Sequence, residues 1–174
     1  MRSMETPRGT LEPQTAAHAD EMFVVLSDPA LYEYENEPPS SVEWLRDRFT
    51  KLESRRSADG VEQWLNWVIR RPSGELIGYV QATIYPRSRA EIAYVLSSGY
   101  WGRGLAGEAV DAMIAELTAR YGVRSVSAVL KRENHRSLRL LERLGFSLAS
   151  VESLAEHPVD PDELRMTREV RVSN

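Results

Sequence analysis

The sequence predicts an α+β fold in three layers, with a central mixed, mostly antiparallel sheet of about six to seven strands flanked by about four helices. Three observations carry this. Apolar residues recur at offsets of three and four over residues 15–52, alternate with period two through the middle, and then switch between the two periods to the end. The 174 residues, 42% hydrophobic and 28% charged, suit one domain over residues 1–174 with an ordinary core. No cysteine is present, so no disulfide framework or thiolate zinc site replaces that core.

Residues 1–10 mix Pro, Gly and charge and read as a frayed start, with Leu11 opening a short first strand. Ala19, Met22, Phe23 and Leu26 then mark one helical face, stopped by Asp28-Pro29. An acidic, aromatic loop follows, Tyr32-Glu33-Tyr34-Glu35-Asn36-Glu37-Pro38-Pro39. Ser40 precedes Glu43 by three, a capping-box spacing, and Val42, Leu45, Phe49 and Leu52 line the next helix. After a polar connection, residues 63–70, 76–85 and 91–97 read as three strands of an antiparallel meander. The first hairpin turns at Pro72-Ser73-Gly74-Glu75. A Gly-rich turn over 99–107 leads into a helix with Val110, Met113, Ile114 and Leu117 on one face, ended by Gly122. Residues 123–130 form a strand. Asn134 caps a helix carrying Leu138, Leu141 and Leu144, with Gly145 as its C′ residue. Phe146 opens another strand, and residues 164–172 alternate as the last.

Net charge is -4, from 22 basic and 26 acidic residues, which argues against a nucleic-acid binder driven by net charge. The longest early apolar run, residues 22–26, falls far short of the roughly 18 residues of a membrane span. No signal-peptide pattern is visible, so a cytoplasmic protein without a membrane partner is expected. The charge is unevenly distributed. Residues 101–145 hold 8 basic and 5 acidic residues, whereas residues 1–50 hold 4 and 10. That split suits a polyanionic ligand at the later block and a cationic one at the earlier.

The most informative segment is Tyr100-Trp101-Gly102-Arg103-Gly104-Leu105-Ala106-Gly107-Glu108-Ala109. It joins a strand to a helix. Free N–H groups at a helix start, with the helix dipole, make an anion site, and small residues let the backbone approach a phosphate. Three readings compete. One is a tight turn without a ligand. Another is the dinucleotide fingerprint G-x-G-x-x-G, but that should follow the first strand of a βαβ series and be followed by a ribose-binding acid. Here it follows a meander, and the next strand ends at Leu130-Lys131-Arg132. The third is an acyl-CoA pyrophosphate cradle.

Residues 90–107 (AEIAYVLSSGYWGRGLAG), with residues 133–146 (ENHRSLRLLERLGF), resemble the GNAT superfamily of N-acetyltransferases. They look most like the branch that acetylates N-terminal amines of ribosomal proteins. The family's cradle motif is Arg/Gln-x-x-Gly-x-Gly/Ala. This chain keeps Gly104 and Ala106 but has Trp101 at the first position. The resemblance implies a GNAT-like fold, acetyl-CoA as donor, no metal, and direct transfer to a primary amine on a protein N-terminus or small cationic molecule. It implies a cradle of Trp101, Gly102, Arg103, Gly104, Leu105, Ala106 and Gly107. Tyr94, Val95 and Leu96 would offer backbone groups to the pantetheine arm, and Asn134 would hydrogen-bond it. Many relatives form dimers, so a homodimer is an expectation by analogy.

A base would help remove the ammonium proton. Glu91 is the first candidate, its other reading being a strand-end charge beside Arg87 and Arg89. Tyr34, Glu35 and Glu37 would meet a cationic acceptor, or else form a solvated loop. Many relatives place a Tyr seven positions after the Asn to protonate the departing thiolate. Here that position is Leu141, and Ser137 stands as the substitute. The missing Tyr keeps a second function open, a catalytically silent CoA-binding or partner-binding module on the same fold.

Overall fold

The computed structural model describes residues 1–34 and 36–171. The first ten residues are not frayed. Strands β1 (Met4–Thr6) and β2 (Gly9–Pro13) form an antiparallel hairpin, and β2 pairs with β3 (Gln63–Arg70). Distant partners hold the hairpin. The Trp67 indole N–H donates to the Arg2 carbonyl at 3.0 Å, and the Arg2 guanidinium reaches the buried Glu116 carboxylate at 2.7 Å. Only Met4 and Leu11 are buried apolar residues in this stretch, too few for a strand period to stand out.

Helices α1 (Ala19–Leu26) and α2 (Val42–Leu52) lie next in the chain. The cap of α2 is Ser41 rather than Ser40, because the Ser41 hydroxyl accepts from the Trp44 N–H at 3.0 Å. β3, β4 (Leu76–Tyr85) and β5 (Arg89–Leu96) form the expected antiparallel meander. β5 starts earlier than the sequence indicates, since Arg87 and Ser88 adopt positive φ and tighten the turn. At Gly78 a Cβ would stand 2.0 Å from the Val95 carbonyl oxygen, so only glycine lets β4 and β5 close there.

The second half contains α3 (Leu105–Tyr121), β6 (Ser125–Lys131), α4 (His135–Arg143), β7 (Ser147–Leu148), α5 (Val151–Glu156) and β8 (Glu163–Glu169). The sheet has eight strands in the order β1-β2-β3-β4-β5-β6-β8-β7, one more than the sequence suggests. Helix α5 is also additional. It buries no residue, so it has no apolar stripe to betray it. The last strand ends at Glu169, short of the expected 172, which lies outside the described residues. No described helix is long and apolar enough to cross a membrane.

Two apolar layers enclose the sheet. On one face Ile92 and Leu96 pack with Val110, Met113 and Leu117 of α3 and Leu141 of α4. On the other, Val68 and Leu76 pack with Met22 of α1 and Leu45 and Phe49 of α2. The feature that positions the site is the one parallel junction. β5 and β6 pair at Arg89–Ser125, Ala90–Val126 and Glu91–Ser127, and the pairing then stops. Both strands continue past that point, so they splay into a gap through the sheet.

Candidate active site

Gly104 sits at φ 79° as the N-cap of α3, and Gly102 at φ 73° just before it. Both conformations favour glycine. No side chain caps this helix, and the N–H groups of Leu105, Ala106 and Gly107 find no partner among the described residues. A Cβ on Gly102 or Gly107 would meet nothing within 4 Å, so the loop presents bare backbone to open space. Arg8 braces it from the hairpin, donating to the Arg103 carbonyl at 2.6 Å and to Glu108 at 2.8 Å. The Leu105 side chain is in the core, leaving only its backbone for binding.

Arg136 of α4 stacks over the Trp101 ring, its guanidinium carbon 3.4 Å from the centroid, and the Trp101 indole N–H donates to the Leu96 carbonyl at 2.7 Å. Beside this stack runs a groove of about 110 Å³ lined by Val95, Leu96, Trp101, Ala106 and Asn134. It shares Tyr94, Asn134 and Ser137 with a cavity of about 530 Å³ that passes through the β5–β6 gap. One wall of that gap is Ile92 to Val95 and the other Ala128 to Leu130.

Residues 8–147 match the family described as Acetyltransferase (GNAT) domain. The chain belongs to the GNAT acetyltransferase family. An uncharacterized N-acetyltransferase of Bacillus licheniformis, p20, is 29% identical over 149 residues, covering 84% of this GNAT chain and 83% of its own. Two solved structures share the fold. Ribosomal-protein-S5-alanine acetyltransferase from Vibrio fischeri has a TM-score of 0.78 at 18% identity, covering 96% of each chain. RimL, the ribosomal L7/L12 alpha-N-protein acetyltransferase in complex with Coenzyme A, has a TM-score of 0.79 at 18% identity, covering 97% of each.

Within this GNAT fold the sequence-derived residues separate. Tyr34, Tyr94, Val95, Asn134 and Ser137 line both cavities, and Glu37 lines the larger. Glu35 lies outside the described residues. Glu91 lines neither cavity. Its carboxylate accepts from Arg165 of β8 at 2.8 Å, at the closed end of the β5–β6 junction. Asn134 caps α4, its side-chain oxygen accepting from the Ser137 N–H at 3.1 Å, and still faces the cavity. Leu141, where many relatives carry Tyr, is a buried part of the cavity wall.

Sequence reasoning took Tyr94 for its backbone and missed its hydroxyl. That hydroxyl lies 3.5 Å from the Ser137 carbonyl of α4, and Tyr94 lines both cavities. Burial pushes the phenol above its ordinary value, outweighing the Ser137 hydrogen bond and the Arg143 charge. It therefore stays protonated. The Ser137 hydroxyl has no hydrogen-bond partner among the described residues. Asp28 ties the loop after α1 to the turn after β5, accepting from the N–H of Ala30 at 3.0 Å and of Ser98 at 3.0 Å. Hydrogen bonding from Ser98 holds this carboxyl below its ordinary value.

Proposed function

We propose that this GNAT protein transfers an acetyl group from acetyl-CoA directly to a primary amine, on a protein N-terminus or a small cationic molecule. The observation that carries the reading is one continuous path. It runs from the uncapped start of α3, along the groove beneath Trp101, to the cavity in the β5–β6 gap. The residues fit such a donor. Unpartnered N–H groups and open glycines suit a pyrophosphate, with Arg103 and Arg136 as flanking cations. The unpaired edge of β5 beyond Glu91, with Asn134, suits the amides of a pantetheine arm. RimL, of the same fold, is known in complex with Coenzyme A.

Acetyl-CoA supplies a thioester already activated for acyl transfer. The chain then has to orient the amine, accept one proton and supply another. Orientation alone lowers such barriers by about 7–11 kcal/mol. Glu37 is the carboxylate among the described lining residues, and it draws the ammonium in. Glu91, the base suggested by sequence, is tied to Arg165 and braces β5 against β8. The demand on a base is small for a peptide α-amine, whose pKa lies near about 7.7–8.0, and larger for lysine at about 10.4. On the leaving side, Tyr94 and Ser137 supply hydroxyl protons from residues that line both cavities with Asn134.

Titration with CoA followed by tryptophan emission tests the binding half of this reading. Trp101 lines the groove, so wild-type protein should give a saturable change below about 1 mM, the upper range of ordinary KM values. Trp101→Phe should lose most of that signal. A wild-type protein with no saturable response in that range contradicts the reading.

A further inference from the structure

We propose that a row of three carboxamides, Gln14, Asn66 and Gln81, binds the peptide amides of an acceptor, making the enzyme selective for a peptide N-terminus over a simple amine or polyamine. The inference rests on the acetyl-transfer reading and names its acceptor class.

The row is built by strand register. The Gln14 N–H donates to the Asn66 carbonyl at 2.9 Å, Asn66 stands opposite Gln81, and Gln81 stands opposite Ala93. The four positions therefore form a line across the sheet. They lie on the α1/α2 face, because neighbouring Trp67 and Val80 point into the opposite apolar layer. All three carboxamides line the large cavity. Gln14 and Asn66 are buried and Gln81 half-buried, and none of the three side chains has a hydrogen-bond partner among the described residues. Their amide atoms are not sealed in the core but open onto the cavity, where their donors and acceptors can meet a ligand. Three in one row, all lining one cavity and none claimed by a protein partner, offer their amides to a ligand there.

Their chemistry selects that ligand. A carboxamide donates through nitrogen and accepts through oxygen, which matches a peptide group in both directions. An ammonium needs acceptors only, and carboxylates serve it better. The described lining has one carboxylate, Glu37, and it also has Arg48. Three inter-strand steps of about 4.8 Å give a row of roughly 14 Å. That matches about four extended residues at about 3.3–3.6 Å each. The row ends at Ala93, a small residue at the β5–β6 gap, which leaves room there for the reacting amine.

The test compares trialanine amide with n-propylamine as acceptors for wild-type protein, Gln81→Leu and Gln81→Glu. Wild type should favour the peptide in kcat/KM by more than about tenfold. Gln81→Leu should raise KM for the peptide about tenfold, the loss of one hydrogen bond worth about 1.4 kcal/mol. Its kcat, its KM for propylamine and its melting temperature should stay near wild type. Gln81→Glu keeps the shape and the acceptor oxygens but loses the donor, so it should fall between the two for the peptide. Equal KM shifts for both acceptors, or none for the peptide, overturn the inference while acetyl transfer stands. Wild-type protein that binds CoA yet acetylates neither amine overturns the acetyl-transfer reading and the inference with it.

Discussion

Gly104→Asp should abolish CoA binding and leave the fold intact. Position 104 caps α3 at φ 79°, a conformation that Asp tolerates better than most residues. A carboxylate at a helix start is favoured by the dipole, and a Cβ there would lie 3.2 Å from the guanidinium end of Arg8, a side chain rather than backbone. The variant should therefore melt close to wild type. Its new charge, however, faces the N–H groups assigned to the pyrophosphate. Two like charges about 4 Å apart repel by about 4 kcal/mol at an effective dielectric constant of about 20. That corresponds to a loss of roughly a thousandfold in affinity. Calorimetric titration with CoA measures it. Affinity within threefold of wild type would mean that the phosphates lie elsewhere.

Combining Tyr94→Phe with Ser137→Ala should collapse turnover while preserving CoA affinity. Proton transfer from a positioned group contributes about 10²–10⁴-fold to rate. Either hydroxyl can serve the leaving side, since both line the two cavities beside Asn134. Each single variant should thus fall less than the double. Burial raises the Tyr94 phenol above its ordinary value of 10.0, so its proton is retained throughout the neutral and mildly alkaline range. Wild-type turnover should accordingly show no alkaline decline below pH 10 from this group. Pre-steady-state measurement with saturating acetyl-CoA and trialanine amide separates the chemical step from binding. Unchanged turnover in the double variant would remove both hydroxyls from the mechanism.

Much of this was legible because it is local. Helical periods mark α1 to α4, and the glycines at 102 and 104 mark a backbone that must turn left-handed. The proposed cradle is built from consecutive residues, so its pattern stands in the sequence. The N-terminal hairpin is different: its stability comes from Trp67 and Glu116, far along the chain. Ser40 and Ser41 are adjacent and chemically alike, and only geometry separates them.

The acceptor side was less legible for the same reason. Glu91 reads as a candidate base or as a strand-end charge beside Arg87 and Arg89, and its partner Arg165, on the last strand, is visible only in the fold. The Tyr94 hydroxyl acquires meaning from Ser137, which comes from α4. Asn66 and Gln81 each interrupt an apolar strand on an inward-facing position, which was a signal available in the sequence. Their alignment with Gln14 depends on register, which the sequence does not print.

Free-thiol release from acetyl-CoA, measured with and without amines, tests the central claim most directly. The account predicts release that depends on the amine, matched mole for mole by acetylated amine in mass spectrometry. For a peptide α-amine the rate should rise with pH and level off above about 8, as the ammonium population is exhausted. Saturable CoA binding with no amine-dependent thiol release, across peptides, amino sugars and polyamines, would contradict it. The chain would then be a silent CoA-binding module on a GNAT fold.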